Sequence, residues 1–133
     1  MTRTGGCQCG AVRYEAAGEP AHHAVCHCAD CRASAGAPLV AWMAFAEGQV
    51  RLTQGTPTTY TGKTGAQRQF CPACGTGLFY TNADMLPGII DVQSATLDSA
   101  ASEVPGAQIQ VAERLPWIDD LAALHRFERY PGP

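Results

Sequence analysis

Lysine occurs once in these 133 residues, at Lys63, and no cluster of lysine and arginine exists anywhere in the chain. A nucleic-acid face needs clustered cations, and the formal charge of −3 points the same way. Long apolar runs are missing as well. No segment approaches the ~20 apolar residues of a membrane span, and the opening MTRTGG has no apolar core of a secretory signal. Neither nucleic acid nor membrane is therefore expected as a partner, and the cytoplasm is the expected compartment. Large aliphatics are also scarce. Leu, Ile, Val and Phe together number 23, below the ~20% of residues usual in globular chains. Disorder from such a composition needs a high net charge, which this chain lacks. Something besides aliphatic packing must hold it together.

Cysteine is what the chain has instead. Seven cysteines cannot all pair within one chain. In a reducing compartment, close cysteine spacings read as metal or catalytic sites rather than disulfides. Short apolar or alternating segments recur between Gly, Pro, Asp and Asn. Residues 11–16, 39–45, 49–53, Thr58–Thr61, 68–70, 78–81, Ile89–Gln93 and 108–111 read as strands. Helix is limited to Ala29–Ala35, ended by Gly36 with Pro38 beyond, and a brief turn near 119–124. The expected fold is a single domain over residues 1–133, mainly β and antiparallel, with one or two short helical turns and a zinc staple.

The cysteines fall into three groups: GGCQCG with Cys7 and Cys9, CHCADC with Cys26, Cys28 and Cys31, and FCPACG with Cys71 and Cys74. Cys-Pro-Ala-Cys-Gly is a zinc-knuckle spacing, and a glycine after the second cysteine can take φ > 0. A knuckle gives two of the four ligands of a structural zinc. Cys7 and Cys9 are the best complement, because residues i and i+2 of an extended segment share a side. Cys26 and Cys28 share a side in the same way, and Cys31 lies one helical turn further on. Three protein ligands plus an open position is the pattern of catalytic zinc. A trithiolate centre is a poor source of hydroxide and has room for one more soft ligand, such as a thiol. Other arrangements remain open on spacing alone. His22 or His23 closes a Cys₃His site, with His27 pointing away; Cys26 and Cys28 pair with Cys71 and Cys74; Cys71 and Cys74 act as a redox pair; or the cysteines are simply buried.

These motifs resemble the glutathione-dependent formaldehyde-activating enzymes, a Gfa-like family that also includes centromere protein V. GGCQCGAVRYE at 5–15, CHCADCRASAGAP at 26–38, RQFCPACGTGLFY at 68–80 and RLPWIDD at 114–120 carry the likeness. The resemblance implies a small β-rich fold, the β-tent of the Mss4-like group. It implies a structural zinc on Cys7, Cys9, Cys71 and Cys74 and a catalytic zinc on Cys26, Cys28 and Cys31, two Zn²⁺ per chain. The implied activity is a carbon–sulfur lyase reaction that forms or cleaves the adduct of glutathione and formaldehyde. Homodimers occur within the family.

The expected chemistry is thus a thiol, glutathione or another, meeting a small aldehyde beside the Cys₃ zinc. Asp30, Ser34, His22 and His23 are candidates for moving the proton. Arg32, Lys63 and Arg68 are candidates for pairing with substrate carboxylates. Trp42, Phe45, Phe70, Phe79, Tyr80 and Trp117 read as core, with Trp117 also a candidate pocket wall. The rival reading is a zinc module without turnover that binds glutathione or a protein. A chromatin role would want a basic or disordered extension, which this sequence does not have.

Overall fold

The computed structural model describes residues 1–132. Ten strands are arranged in two sheets. The smaller sheet holds β1 (Thr2–Gly6), β2 (Arg13–Ala17) and β5 (Val50–Gln54), in the order β1-β2-β5 and antiparallel throughout. The larger holds β3 (His22–Cys26), β4 (Val40–Ala46), β6 (Thr58–Thr61), β7 (Gln67–Phe70), β8 (Gly77–Thr81), β9 (Ile89–Gln93) and β10 (Ala107–Ile109). Its order is β10-β3-β4-β9-β8-β7-β6. The single helix of α type, α1, spans Ala29–Ala35 between β3 and β4.

The fold is mainly β, with one departure from an all-antiparallel plan: β10 runs parallel to β3 at the sheet edge. Antiparallel neighbours are joined by short turns, whereas a parallel pair requires a long crossover. Here most of the domain lies between the two strands, so sequence spacing holds no sign of their pairing.

Strand β4 divides the molecule. Successive strand residues point to opposite faces. Met43 and Phe45 face the small sheet, where they join Val12, Tyr14, Ala16, Leu78, Phe79, Val92 and Leu97 in the main core. Cys7 and Cys71 belong to that core. Val40 and Trp42 face the other way, into a smaller cluster with Cys26 and Cys31, flanked by Cys28 and Tyr80. The main core therefore contains cysteines of the first and third groups, and the smaller cluster those of the second alone.

The chain after β10 is a series of 3₁₀ turns, including Val111–Glu113 and Pro116–Ala123. Trp117, read from the sequence as core, is 48% exposed. With Leu115 it walls a shallow groove against Ala29, Arg32, Ala33 and Gly36 of the helix region. No strand crosses over that part of the chain to bury the indole.

Candidate metal centres and adjoining cleft

The structure brings the seven cysteines together as two sets. The sulfurs of Cys7, Cys9, Cys71 and Cys74 all lie within 4.8 Å of one another, and so do those of Cys26, Cys28 and Cys31. Each set suits a metal ion.

In the four-sulfur set, Cys7 leaves β1 into a turn in which its N–H donates to the Val12 carbonyl (3.0 Å) and its carbonyl accepts from Gly10 (3.1 Å). Cys71 leaves β7 into a second turn, where its carbonyl accepts from Gly75 (2.8 Å). Gly10 and Gly75 take φ of 83° and 80°, so each turn bends back through a conformation that favours glycine. Cys7 and Cys9 sulfurs are 3.7 Å apart, and Cys9 and Cys71 sulfurs 3.8 Å. A disulfide needs ~2.05 Å, whereas a tetrahedron with Zn–S bonds of ~2.3 Å has edges of ~3.8 Å. The donors around the sulfurs fit thiolates. The Val12 N–H donates to Cys7 Sγ (3.2 Å) and the Ala73 N–H to Cys71 Sγ (3.4 Å). A hydrogen bond with the Thr76 hydroxyl, 3.2 Å from Cys74 Sγ, pulls that thiol down to about 5.

The three-sulfur set forms where β3 passes into α1. Cys28 is the helix N-cap, and its Sγ accepts from the Cys31 N–H at 3.3 Å. That bond fixes Cys31 beside Cys28, while Cys26 approaches from the last position of β3. Burial pushes the Cys26 thiol up to about 12 and also raises Cys31. Thiols so placed ionise when a cation supplies the compensating charge. Among the described residues no histidine or carboxylate joins this set. His27, wholly buried, turns to β10, where its Nε2 lies 2.9 Å from the Gln108 side-chain oxygen. His23 points to the opposite face of β3 and bonds the Ser94 hydroxyl at 2.8 Å. His22 is exposed at the start of β3, four residues or ~13 Å of extended strand from Cys26.

Beside this set lies a cleft of about 750 Å³ between α1 and the strands. Asp30, Ser34, Trp42, Arg68, Phe70 and Gln93 are among its lining residues. Arg68 is the link between cleft and sulfurs. Its Nη2 donates to Asp30 Oδ2 (2.8 Å) and approaches Cys31 Sγ (3.6 Å), and its guanidinium stacks 4.9 Å from the Tyr80 ring centre. Lys63 lines a second cavity, of about 470 Å³, which Arg68 and Asp30 also border. Arg32 instead donates to the backbone carbonyls of His27 and Glu113, both at 3.2 Å.

Three participants carry no local signal in the sequence. Glu113 accepts from the Ala29 N–H at 3.1 Å and holds the start of α1 from 84 residues away. Thr76 serves Cys74 from inside the knuckle turn. Gln93 reaches the cleft because residue 77 is glycine; a Cβ there would meet Gln93 Nε2 at 2.4 Å.

A mainly β protein with two separate cysteine sets, each fit for a soft metal ion, and a cleft lined by neighbours of both, Arg68 and Asp30 beside one and Gly75 and Thr76 beside the other, is what the geometry defines. The chain belongs to the glutathione-dependent formaldehyde-activating enzyme family, whose profile matches residues 2–113. It is also similar to a protein of Rhodobacter sphaeroides known from a crystal structure. That likeness has a TM-score of 0.62 at 26% identity and covers 79% of this chain and 98% of the other. Among the described residues, no helix is long and apolar enough to cross a membrane.

Proposed function

We propose that this chain is a zinc-dependent carbon–sulfur lyase that joins glutathione, or another small thiol, to a small aldehyde such as formaldehyde, and reverses that reaction. The observation that carries this reading is the three-sulfur set itself. Cys26, Cys28 and Cys31 converge with no fourth protein ligand among the described residues, and Arg68 links them to a roomy cleft. Cys7, Cys9, Cys71 and Cys74 hold the structural zinc, and Cys26, Cys28 and Cys31 hold the second. A zinc ion on three thiolates supplies one open position that favours a further thiolate over water.

The rest is work for the chain's own groups. The 750 Å³ cleft holds thiol and aldehyde together, so the reaction gains from proximity. The thiol gives up its proton, its sulfur attacks the carbonyl carbon, a C–S bond forms, and the carbonyl π bond breaks to leave an alkoxide that takes a proton in return. Asp30 and Ser34 are the two proton-transfer candidates that border the cleft. His23, bonded to Ser94 on the other face, is not placed to serve, and His22 stands well apart. Arg68 keeps positive charge beside Cys31 while negative charge gathers there.

The adduct also forms without an enzyme, so the test is a rate at equilibrium. Exchange between free glutathione and its hydroxymethyl adduct is measured by NMR magnetisation transfer, with and without protein. Wild type is expected to speed the exchange and Cys28→Ser to abolish the effect. Thiol uptake without faster exchange would contradict the lyase and leave a glutathione-binding zinc module.

A further inference from the structure

Arg68 has more hydrogen-bonding capacity than its neighbours use. Its side chain is only 12% exposed, clamped between the Tyr80 ring and Asp30. Both known donations, to Asp30 and to Cys31, come from Nη2. Nε and Nη1 have no protein partner among the described residues. Neither is sealed from solvent, since the one buried side-chain nitrogen or oxygen left without a partner is His27 Nδ1. Arg68 borders both the main cleft and the second cavity, and Lys63 borders the latter too. A guanidinium held flat, with free N–H groups opening on cavities, is suited to receive a carboxylate.

Asp30 stands on the same guanidinium from outside. Its side chain is 81% exposed and comes from the first turn of α1. An ion pair with one partner this exposed is weakly held. The Asp30 carboxylate therefore offsets the charge of Arg68 from Nη2, leaves Nε and Nη1 open, and repels an anion that arrives there.

We infer that Arg68 is the docking point for a carboxylate on the thiol substrate, and that Asp30 is a built-in competitor for that point. The favoured ligands are thus thiols that carry a carboxylate, with the sulfur close enough to reach the cysteines 3.6 Å beyond Nη2. Asp30 sets how strongly such ligands are preferred over neutral thiols. The inference deepens the proposed thiol site and rests on that reading only for the sulfur end of the ligand.

Two probes separate the two ends. S-Methylglutathione has carboxylates and a capped sulfur; 2-mercaptoethanol has a thiol and no carboxylate. Affinities are measured on the zinc-loaded full chain at fixed ionic strength, by calorimetry for the first probe and native mass spectrometry for the second. Asp30→Asn is expected to bind S-methylglutathione about fivefold tighter, with 2-mercaptoethanol uptake unchanged. Arg68→Gln is expected to weaken S-methylglutathione about tenfold, and the gain from Asp30→Asn should vanish in the double variant. Unchanged or weaker binding of S-methylglutathione to Asp30→Asn overturns the inference, and this exposed position keeps that test clear of folding defects. Binding of S-methylglutathione without uptake of 2-mercaptoethanol supports the carboxylate site and contradicts the thiol site. The converse supports the thiol site and sinks the inference.

Discussion

The two cysteine sets are made of the same atoms and differ in almost everything around them. The four-sulfur set joins residues 62 apart and more, through two surface turns that each anchor one cysteine, Cys7 or Cys71, in the main core. Two of its sulfurs accept backbone N–H bonds and a third adjoins a threonine hydroxyl. The three-sulfur set comes from six consecutive residues, on the other face of β4, beside a cleft and an arginine. Sequence separation decides what a metal can do for stability. A clasp between distant segments restrains much of the unfolded chain, whereas a clasp within one short segment restrains little. Closure decides what it can do for chemistry: the first set offers four sulfurs and the second three. On the proposed reading the first set holds the fold and the second reacts.

The largest expected effect comes from breaking the first clasp. Cys71→Ser replaces a fully buried sulfur and should cost at least ~5 kcal/mol, on the order of a domain's whole stability. Thermal melts followed by circular dichroism would then show no cooperative transition. Cys28→Ser, whose hydroxyl can still cap α1, should shift the melting temperature by only about 3 °C. Graded chelation is the next sharpest comparison. One zinc should leave the three-sulfur set with the far-ultraviolet spectrum intact, and the second should leave only as the fold is lost.

A smaller effect probes the cleft alone. Gly77→Ala pushes a methyl toward Gln93 Nε2, which would be 2.4 Å away, so this cleft-lining side chain must shift. The expected loss of stability is about 1 kcal/mol, while thiol affinity falls by about threefold, both read from one titration calorimetry and melting series. The zinc count should stay at two.

The smallest effect lies on the side of the small sheet. Asp98 accepts from Arg13 (3.0 Å) and Thr4 (2.7 Å), and the hydrogen bond from Arg13 holds its carboxyl down at about 2 against an ordinary 3.8. A depressed carboxyl stabilises the fold above its unfolded value and loses that contribution as pH falls through its folded one. The stability advantage of wild type over Asp98→Asn should therefore be full above about pH 4 and shrink toward pH 2, in denaturant melts at stepped pH. The exposure of the pair keeps the effect small.

The nearness of sulfurs within each motif was legible because motif spacing is local chemistry, whereas which motifs join was left open by spacing and implied by the family resemblance. Two residues apart in extended chain, or one helical turn apart, places sulfurs together before any tertiary structure is known. Strands β6 and β9 and helix α1 begin and end where their residues predict. Strand β1, TRTGG, has no large apolar residue, and strand β3, HHAVC, opens on two histidines and carries only a short apolar end. They are strands because tertiary pairing makes them so. Strand β3 is held on one side by β4 and on the other by the distant β10. The surroundings of Arg68 were hidden for the same reason. The pairing of β7 with β8 sets Tyr80 opposite it, while Asp30 and Cys31 reach it from α1, which is distant in sequence. Trp117 is half-exposed rather than core, and it walls a shallow groove, the other reading its sequence offered.

The division of labour between the two sets is tested most directly by native mass spectrometry of wild type, Cys28→Ser and Cys71→Ser. Wild type should carry two zinc ions and take up one glutathione. Cys28→Ser should keep one zinc, stay folded and take up none, while Cys71→Ser should appear with the broad high charge states of an unfolded chain. A wild type with a single zinc, or a Cys28→Ser variant that unfolds as readily as Cys71→Ser, would contradict the account.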